Sequence, residues 1–291
     1  MPQPATQRRS LRKRFEQARG QVLVVGHRGA MGYRPENTMP SFEHALELGA
    51  DLVELDVHLT RDGHLAVIHD ETVERTTNGQ GAVRELTLAE LQRLDAGSWF
   101  GPEYGGARIP ALDEVLAWAR RSGVMVDIEI KNGPVYYAGI EEAVVAAVAR
   151  HEMTEQVIII SFDHVAVGRV KALQQQLLTG VLYAARPADA GIAMARAVEA
   201  DALLPHVAFV RQDDVAAAHQ AGLYVAPWTG NDPETLRELI EAGVDAIGTN
   251  YPDVLRGLLE DGRGGPQTGA AAGSGQARAI DSSAALPGRP G

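Results

Sequence analysis

The chain has no cysteine among its 291 residues. That removes disulfides, thiolate-held metals and a cysteine nucleophile, and it leaves the redox compartment open. No apolar run approaches the roughly 18 residues of a membrane-spanning helix. The first twenty residues, MPQPATQRRSLRKRFEQARG, are basic but lack the apolar core of a secretory signal. Positive charge is in deficit: the net charge is -11, the opposite of the basic face a nucleic-acid binder presents, and unsuited to an anionic membrane surface. These absences predict a cytoplasmic protein with no nucleic-acid partner and no integral membrane segment. They leave open whether it pairs as a homodimer.

Hydrophobic residues supply 45% of the chain and charged residues 22%, an ordinary globular balance. Residues 1–20 read as a basic arm, either a short surface helix or a frayed, solvated segment. From 261 to 291, Gly, Ala, Pro and Ser supply 21 of 31 residues, so that stretch predicts a disordered tail that cannot repay the entropy of ordering. Between them, residues 21–260 hold eight β-rich runs: VLVVGH, DLVELDV, VMVDIEI, VIIIS, LTGVLYA, DALLP, LYVAPW and VDAIGT. Helical stretches alternate with them, such as 41–48 behind a cap at Thr38, 139–150, 164–176, 213–221, and 233–242 between Asp232 as cap and Gly243 as stop. Alternation implies parallel strands joined by right-handed crossovers. Eight near-continuous apolar strands predict an α/β fold, a (β/α)8 TIM barrel. About sixty residues separate the second and third strands, more than a βα loop needs. They predict a small insertion over about 70–110, preceded by an extra strand in GHLAVIHD and running on through the Gly- and aromatic-rich AGSWFGPEYGGARIPALDEV.

Active sites of such barrels lie at the C-terminal strand ends, and there the polar residues gather: His27 and Arg28, Glu54 and Asp56, Glu129 and Lys131, Ser161 and Phe162, Trp228 and Thr229, Thr249 and Asn250. Residues i and i+2 of a strand share a face. Glu54 and Asp56 therefore point together, as do Glu129 and Lys131, while Val53, Leu55, Val57, Ile128 and Ile130 take the other side. An unpaired carboxylate in an apolar helix layer is costly, so both pairs belong at the mouth. Three carboxylates there either hold a hard divalent ion, Mg2+ or Ca2+, or divide into a Glu129–Lys131 ion pair and two solvated acids. Among the nine histidines, His44, His151, His164 and His219 read as surface or cap residues, and His58 and His64, flanking the turn LTRDGH, read as exposed. His206 is a weaker candidate for the pocket wall. His27 and His69 differ, since each ends an apolar run, where an imidazole suits proton transfer. Arg28 and Lys131 suit an anionic substrate such as a phosphoester.

HRGAMGYRPENT, VELDVHLTRDGHLAVIHDETVERTTNG, IEIK, SFD, PWTGNDPE and IGTNYPD occur in this order between about residues 22 and 259. Together they resemble the glycerophosphodiester phosphodiesterases. The resemblance implies the same barrel with an insertion after the second strand. It implies one divalent cation held by Glu54, Asp56 and Glu129, an acid–base pair in His27 and His69, and a phosphate held by Arg28 and Lys131. Phe162 and Trp228 match aromatics of the substrate pocket. The implied reaction is hydrolysis of a small glycerophosphodiester to sn-glycerol 3-phosphate and an alcohol, through attack of the glycerol 2-hydroxyl and a cyclic phosphate. Gly230 stands where the family commonly has a larger residue, an expected loosening of that loop. Pro35 to Thr38 read as a rigid turn, with Glu36 and Asn37 as braces of His27 or of the metal ligands, and the RTTNG turn from Arg75 to Gly79 reads as structural. Two rivals remain: a lysophospholipase D-like enzyme using Trp99, Phe100 and Tyr104 as an apolar lip, and a phosphodiester-binding protein without turnover.

Overall fold

The computed structural model describes residues 10–17, 21–185 and 188–261. Among these residues nine strands form one sheet: β1 Leu23–Gly26, β2 Leu52–Leu59, β3 Leu65–Val67, β4 Met125–Ile130, β5 Val157–Ser161, β6 Leu178–Tyr183, β7 Ala202–Pro205, β8 Tyr224–Val225 and β9 Ala246–Thr249. Their order is β8-β7-β6-β5-β4-β2-β1-β9, all parallel, with β3 hanging antiparallel on β2. Three backbone bonds bridge the seam between β8 and β9: Asp245 N to Val225 O at 2.8 Å, Gly248 N to Pro227 O at 2.9 Å and Gly230 N to Gly248 O at 2.9 Å. The eight parallel strands are thus the expected (β/α)8 barrel, and β3 is the expected extra strand. LYVAPW yields only two strand residues, because Pro227 has no N–H to give to a ladder.

Among the described residues, ten α-helices surround and follow the strands: α1 Leu11–Gln17, α2 Met39–Glu47, α3 Leu88–Leu91, α4 Leu112–Ser122, α5 Ile140–Arg150, α6 His164–Leu173, α7 Ala188–Ala197, α8 Gln212–Gln220, α9 Pro233–Ala242 and α10 Pro252–Asp261. In α9 the expected punctuation holds: the Asp232 carboxylate accepts from Thr235 N, and Gly243 stops the helix with φ 80°. Thr38 takes the N-cap position of α2 without capping it, since its hydroxyl donates to Pro35 O at 2.6 Å. The insertion closes over its own small core of Ala66, Ile68, Val73, Val83, Leu91, Ala96 and Ile109. The stretch ending in LDEV is not all excursion, because Leu112 to Val115 open α4.

Strand periodicity sorts the core into two layers. Val53, Leu55, Val57, Ile128 and Ile130 face outward into the helix layer, while Val25, Leu52, Met125, Ile160, Leu182 and Leu204 fill the barrel. The basic arm departs from expectation. Leu11 is 0% exposed and Phe15 2%, both packed with the barrel interior, and Phe15 stacks on Tyr224 at 4.6 Å. Its apolar i, i+4 pair makes α1 a plug for the N-terminal end of the barrel rather than a solvated segment. The Gly/Ala/Pro/Ser-rich tail lies outside the described residues from 262 onward; Asp261 closes α10.

Candidate active site

Of the residues singled out at the strand ends, His27, Arg28, Glu54, Glu129, Lys131, Phe162 and Trp228 line one pocket at the C-terminal mouth; Asp56 and Asn250 stand behind it on Arg28 and His27, and Ser161, Thr229 and Thr249 are not part of its lining. Its charged half comes from β1, β2, the segment after β3, and β4: His27, Arg28, Glu54, His69, Asp127, Glu129 and Lys131. Its apolar half comes from β5 to β8 and includes Ile160, Phe162, Leu182, Leu204 and Trp228. In the parallel register Asp56 lies beside Glu129 and Glu54 beside Asp127, so four carboxylates form two rows on adjacent strands. Glu54, Asp56 and Glu129 each offer an oxygen within 4.8 Å of the others.

Arg28 is the hinge of the charged half. It holds φ 49°, a region L-residues seldom adopt, and the turn is pinned because its carbonyl accepts from Ser41 Oγ at 2.9 Å and Asn37 N at 3.1 Å. Gly29 follows at φ 85°, where a side chain would strike Ser41. The reward is an N–H aimed at Glu54 Oε2, 2.7 Å away. The Arg28 guanidinium meets Glu36 at 2.9 Å and Asp56 at 3.3 Å. Asn37, itself at φ 55°, donates from Nδ2 to Asp56 Oδ2 at 2.8 Å. Glu36 and Asn37 therefore both touch this cluster; the side-chain hydrogen bond of His27 goes instead to Asn250.

The electrostatics of four buried acids follow from what each one faces. Burial raises the Glu54 carboxyl well above the carboxylate range, and Asp56 and Glu129 push it further. Burial and Asp56 together lift Glu129 to about 7, against the pull of Lys131. Asp56 goes the other way: burial opposes its ionisation, but Arg28 and Lys131 outweigh burial and hold it low. Asp127 is raised by burial, then by Glu129 and Asp56. Asp56 Oδ1 and Asp127 Oδ1 are buried without a hydrogen-bond partner. Crowded carboxylates with an orphaned oxygen form a donor set that a hard divalent cation would complete.

The two histidines are held by different partners. His27 Nδ1 meets Asn250 Oδ1 at 2.8 Å, which leaves Nε2 free. Burial, then Arg28, lowers its pKa to about 4, so the ring is neutral at physiological pH. His69 Nδ1 meets Asp70 Oδ1 at 2.6 Å, and its Nε2 lies 3.1 Å from Lys131 Nζ. Lys131 also donates to Glu129 Oε1 at 2.8 Å, so the Glu129–Lys131 pair expected as an alternative to a metal site exists within the same cluster. On the apolar wall Trp228 Nε1 donates to Leu204 O at 2.9 Å, Phe162 meets its ring edge-on at 5.4 Å, and His206 packs against it at 5.1 Å. At Gly230 the N–H is bonded to Gly248 O of β9 at 2.9 Å, and a side chain there would crowd Leu236 and Leu239.

Several neighbours escaped the sequence reading. His58, expected in an exposed turn, is 3% exposed, because β2 runs on to Leu59 and pairs with β3. Its ring meets Tyr137 Oη and the His69 carbonyl, each at 2.9 Å. Asp127 could have been found, since it precedes Glu129 by two residues and shares its face. Arg75, in the turn read as structural, binds Glu36 and Asp70. No local pattern announces that contact, which spans 39 residues of sequence.

Fold and site together define a (β/α)8-barrel protein whose C-terminal mouth gathers carboxylates, Arg28, Lys131 and two histidines. The glycerophosphoryl diester phosphodiesterase family model matches residues 27–254, and the chain belongs to that family. It is 43% identical over 245 residues to a glycerophosphodiester phosphodiesterase of Caldanaerobacter subterraneus subsp. tengcongensis, covering 83% of this chain and 99% of that one. An Oleispira antarctica phosphodiesterase, solved in complex with the product sn-glycerol-3-phosphate, superposes with a TM-score of 0.74 at 32% identity, covering 82% of this chain and 96% of that one. The glycerophosphodiester phosphodiesterase of Agrobacterium tumefaciens strain C58 gives 0.72 at 31% identity, covering 81% and 100%. Among the described residues no helix is long and apolar enough to cross a membrane.

Proposed function

We propose that this chain hydrolyses small glycerophosphodiesters to sn-glycerol 3-phosphate and an alcohol, with His27 and His69 as the acid–base pair. Family membership, the activity named for its relatives and the product bound in one structural neighbour support the reaction. The observation that carries the mechanism is the meeting of two histidines and three carboxylates in one half-apolar pocket.

Glu54, Asp56 and Glu129 would hold one divalent cation, Mg2+ or Ca2+. When bound it would supply charge stabilisation at the phosphoryl oxygens and make the attacking hydroxyl more acidic. Arg28 and Lys131, already at the cluster, bind the phosphate. Their positive charges face the oxygens on which negative charge grows in the transition state. One histidine takes the proton of the glyceryl 2-hydroxyl as that oxygen attacks phosphorus, and the other protonates the departing alcohol. Water then opens the cyclic phosphate with the two roles exchanged. Asp70 and Asn250 fix the rings through Nδ1, so each histidine works at Nε2. The wall of Phe162, Leu204 and Trp228 takes the apolar surface of the substrate and keeps water from it.

The test is release of sn-glycerol 3-phosphate from glycerophosphocholine with Mg2+, with Ca2+ and with chelator. The expected result is turnover that chelator abolishes and that His27→Ala and His69→Ala each reduce by about a thousandfold. Inertness of the wild type toward several glycerophosphodiesters under both metals overturns the reading. Faster turnover of a lysophospholipid than of the deacylated diester reassigns the substrate to lipid.

A further inference from the structure

His69 sits in the segment after β3, its side chain 29% exposed, and the neighbouring Asp70 is 28% exposed. A His–Asp pair between chain neighbours at an open rim has little rigidity of its own. Two separate devices hold it. The backbone is fixed by His58, whose Nε2 meets the His69 carbonyl while its Nδ1 meets Tyr137. The ring is fixed through Asp70, and Asp70 in turn by Arg75: Nε to Oδ2 at 2.7 Å and Nη2 to Oδ1 at 3.0 Å. The same guanidinium grips Glu36 with Nη1 to Oε2 at 2.9 Å and Nη2 to Oε1 at 2.8 Å. Glu36 is 3% exposed and also held by Arg28, so it is a buried anchor with a second cation on it.

We propose that Arg75 is a positioning residue that orients His69 through Asp70, with buried Glu36 as its anchor. The assignment rests on the phosphodiesterase reading for its effect on turnover, not for its geometry. A planar fork with several N–H groups can bind two carboxylates in one plane and pass orientation from one to the other; an ammonium is a point charge and cannot. One edge of Arg75 is open, its side chain 45% exposed, so an external guanidinium ion has access to the place it would vacate. Arg28 keeps Glu36 and Asp56 when Arg75 is removed, so the loss falls on kcat rather than on KM.

The experiment is steady-state hydrolysis of glycerophosphocholine by Arg75→Ala, with and without tens of millimolar guanidinium chloride, and with sodium chloride as control. The expected result is a fall in kcat of roughly 10- to 100-fold with KM within about threefold, and recovery of at least about fivefold with guanidinium alone. In an Asp70→Asn background, Arg75→Ala adds less than about twofold, because both changes break one linkage. Turnover of Arg75→Ala close to wild type overturns the proposal, as does full additivity with Asp70→Asn, and as does a loss that guanidinium leaves untouched. If wild type itself is inert toward every diester, the phosphodiesterase reading fails and the bridge is judged by NMR. The His69 Nδ1 proton then gives a slowly exchanging downfield signal in wild type that Arg75→Ala broadens away; a signal unchanged in the variant overturns the proposal.

Discussion

The barrel has carboxylates at both ends, and they live differently. At the N-terminal end three aspartates staple successive strands in the same way. Asp51, Asp201 and Asp245 each donate a backbone N–H to the strand before them, at Val24, Thr179 and Val225, and each carboxylate accepts the N–H of that same residue. Each also has cationic or imidazole company: Arg14 and Arg256 for Asp51, Lys171 and Arg12 for Asp201, His219 for Asp245. At the C-terminal end, Glu54, Asp56, Asp127 and Glu129 outnumber Arg28 and Lys131, and two of their oxygens are buried without hydrogen bonds. Satisfied acids hold the strands together; the crowded, unsatisfied ones are a group that could hold a metal ion.

The sharpest way to break that contrast is to remove one acid from each end. Glu129→Gln is expected to cost about a thousandfold in kcat/KM, near 4 kcal/mol of transition-state stabilisation. It leaves the melting temperature of metal-free protein unchanged or higher, because it deletes one of several crowded charges. Asp201→Ala is expected to do the reverse: about 3 kcal/mol lost in urea denaturation, since Lys171 loses its counter-ion and the Thr179 N–H its acceptor, with kcat of the folded enzyme intact. Equal stability losses from the two variants would erase the distinction between the ends.

A smaller effect comes from pH. Glu129, at about 7 in the metal-free fold, and Glu54, also raised, must release protons before they can hold a cation. Divalent-ion affinity measured by calorimetry is therefore expected to fall about tenfold between pH 8 and pH 6, with proton release on binding. Affinity that stays flat across this window would mean that the cluster is ionised before the ion arrives.

The two ends were also unequally legible. Alternation within VELDV and DIEIK placed Glu54, Asp56, Glu129 and Lys131 on the inner face, because strand geometry converts spacing directly into direction. The barrel followed from eight apolar runs for the same reason. At the other end, an aspartate recurs in GADLVEL, EADALLP and AGVDAIG, but nothing in that repeat alone marks a staple, because its partners come from other strands and helices. The plugging role of α1 stayed hidden because two side chains, Leu11 and Phe15, carry the burial amid basic neighbours. His58 was misplaced by two residues of strand length, and a shift of that size decides burial in a β2–β3 hairpin. Arg75 depended on a fold-level meeting of two distant turns, which no local propensity encodes.

Asp127 gives the finest comparison, because it is an inner-row acid with the burial of a staple and none of its bonds. Burial, Glu129 and Asp56 raise its folded pKa above the value it has in the unfolded chain. A group with that sign contributes its full stability below the unfolded value, near 4, and progressively loses it as pH rises toward the folded value. Replacing it by an amide of the same shape removes that loss. Asp127→Asn is expected to leave metal-free stability unchanged near pH 4 and to raise it by about 1 kcal/mol at pH 8, a shift of roughly 2–4 °C in a domain of this size. Thermal melts in chelator across that pH range read the effect. A variant that is less stable at every pH would show that Asp127 has the partnered character of Asp201, and the contrast between the two ends would stop at the outer row of Asp56 and Glu129.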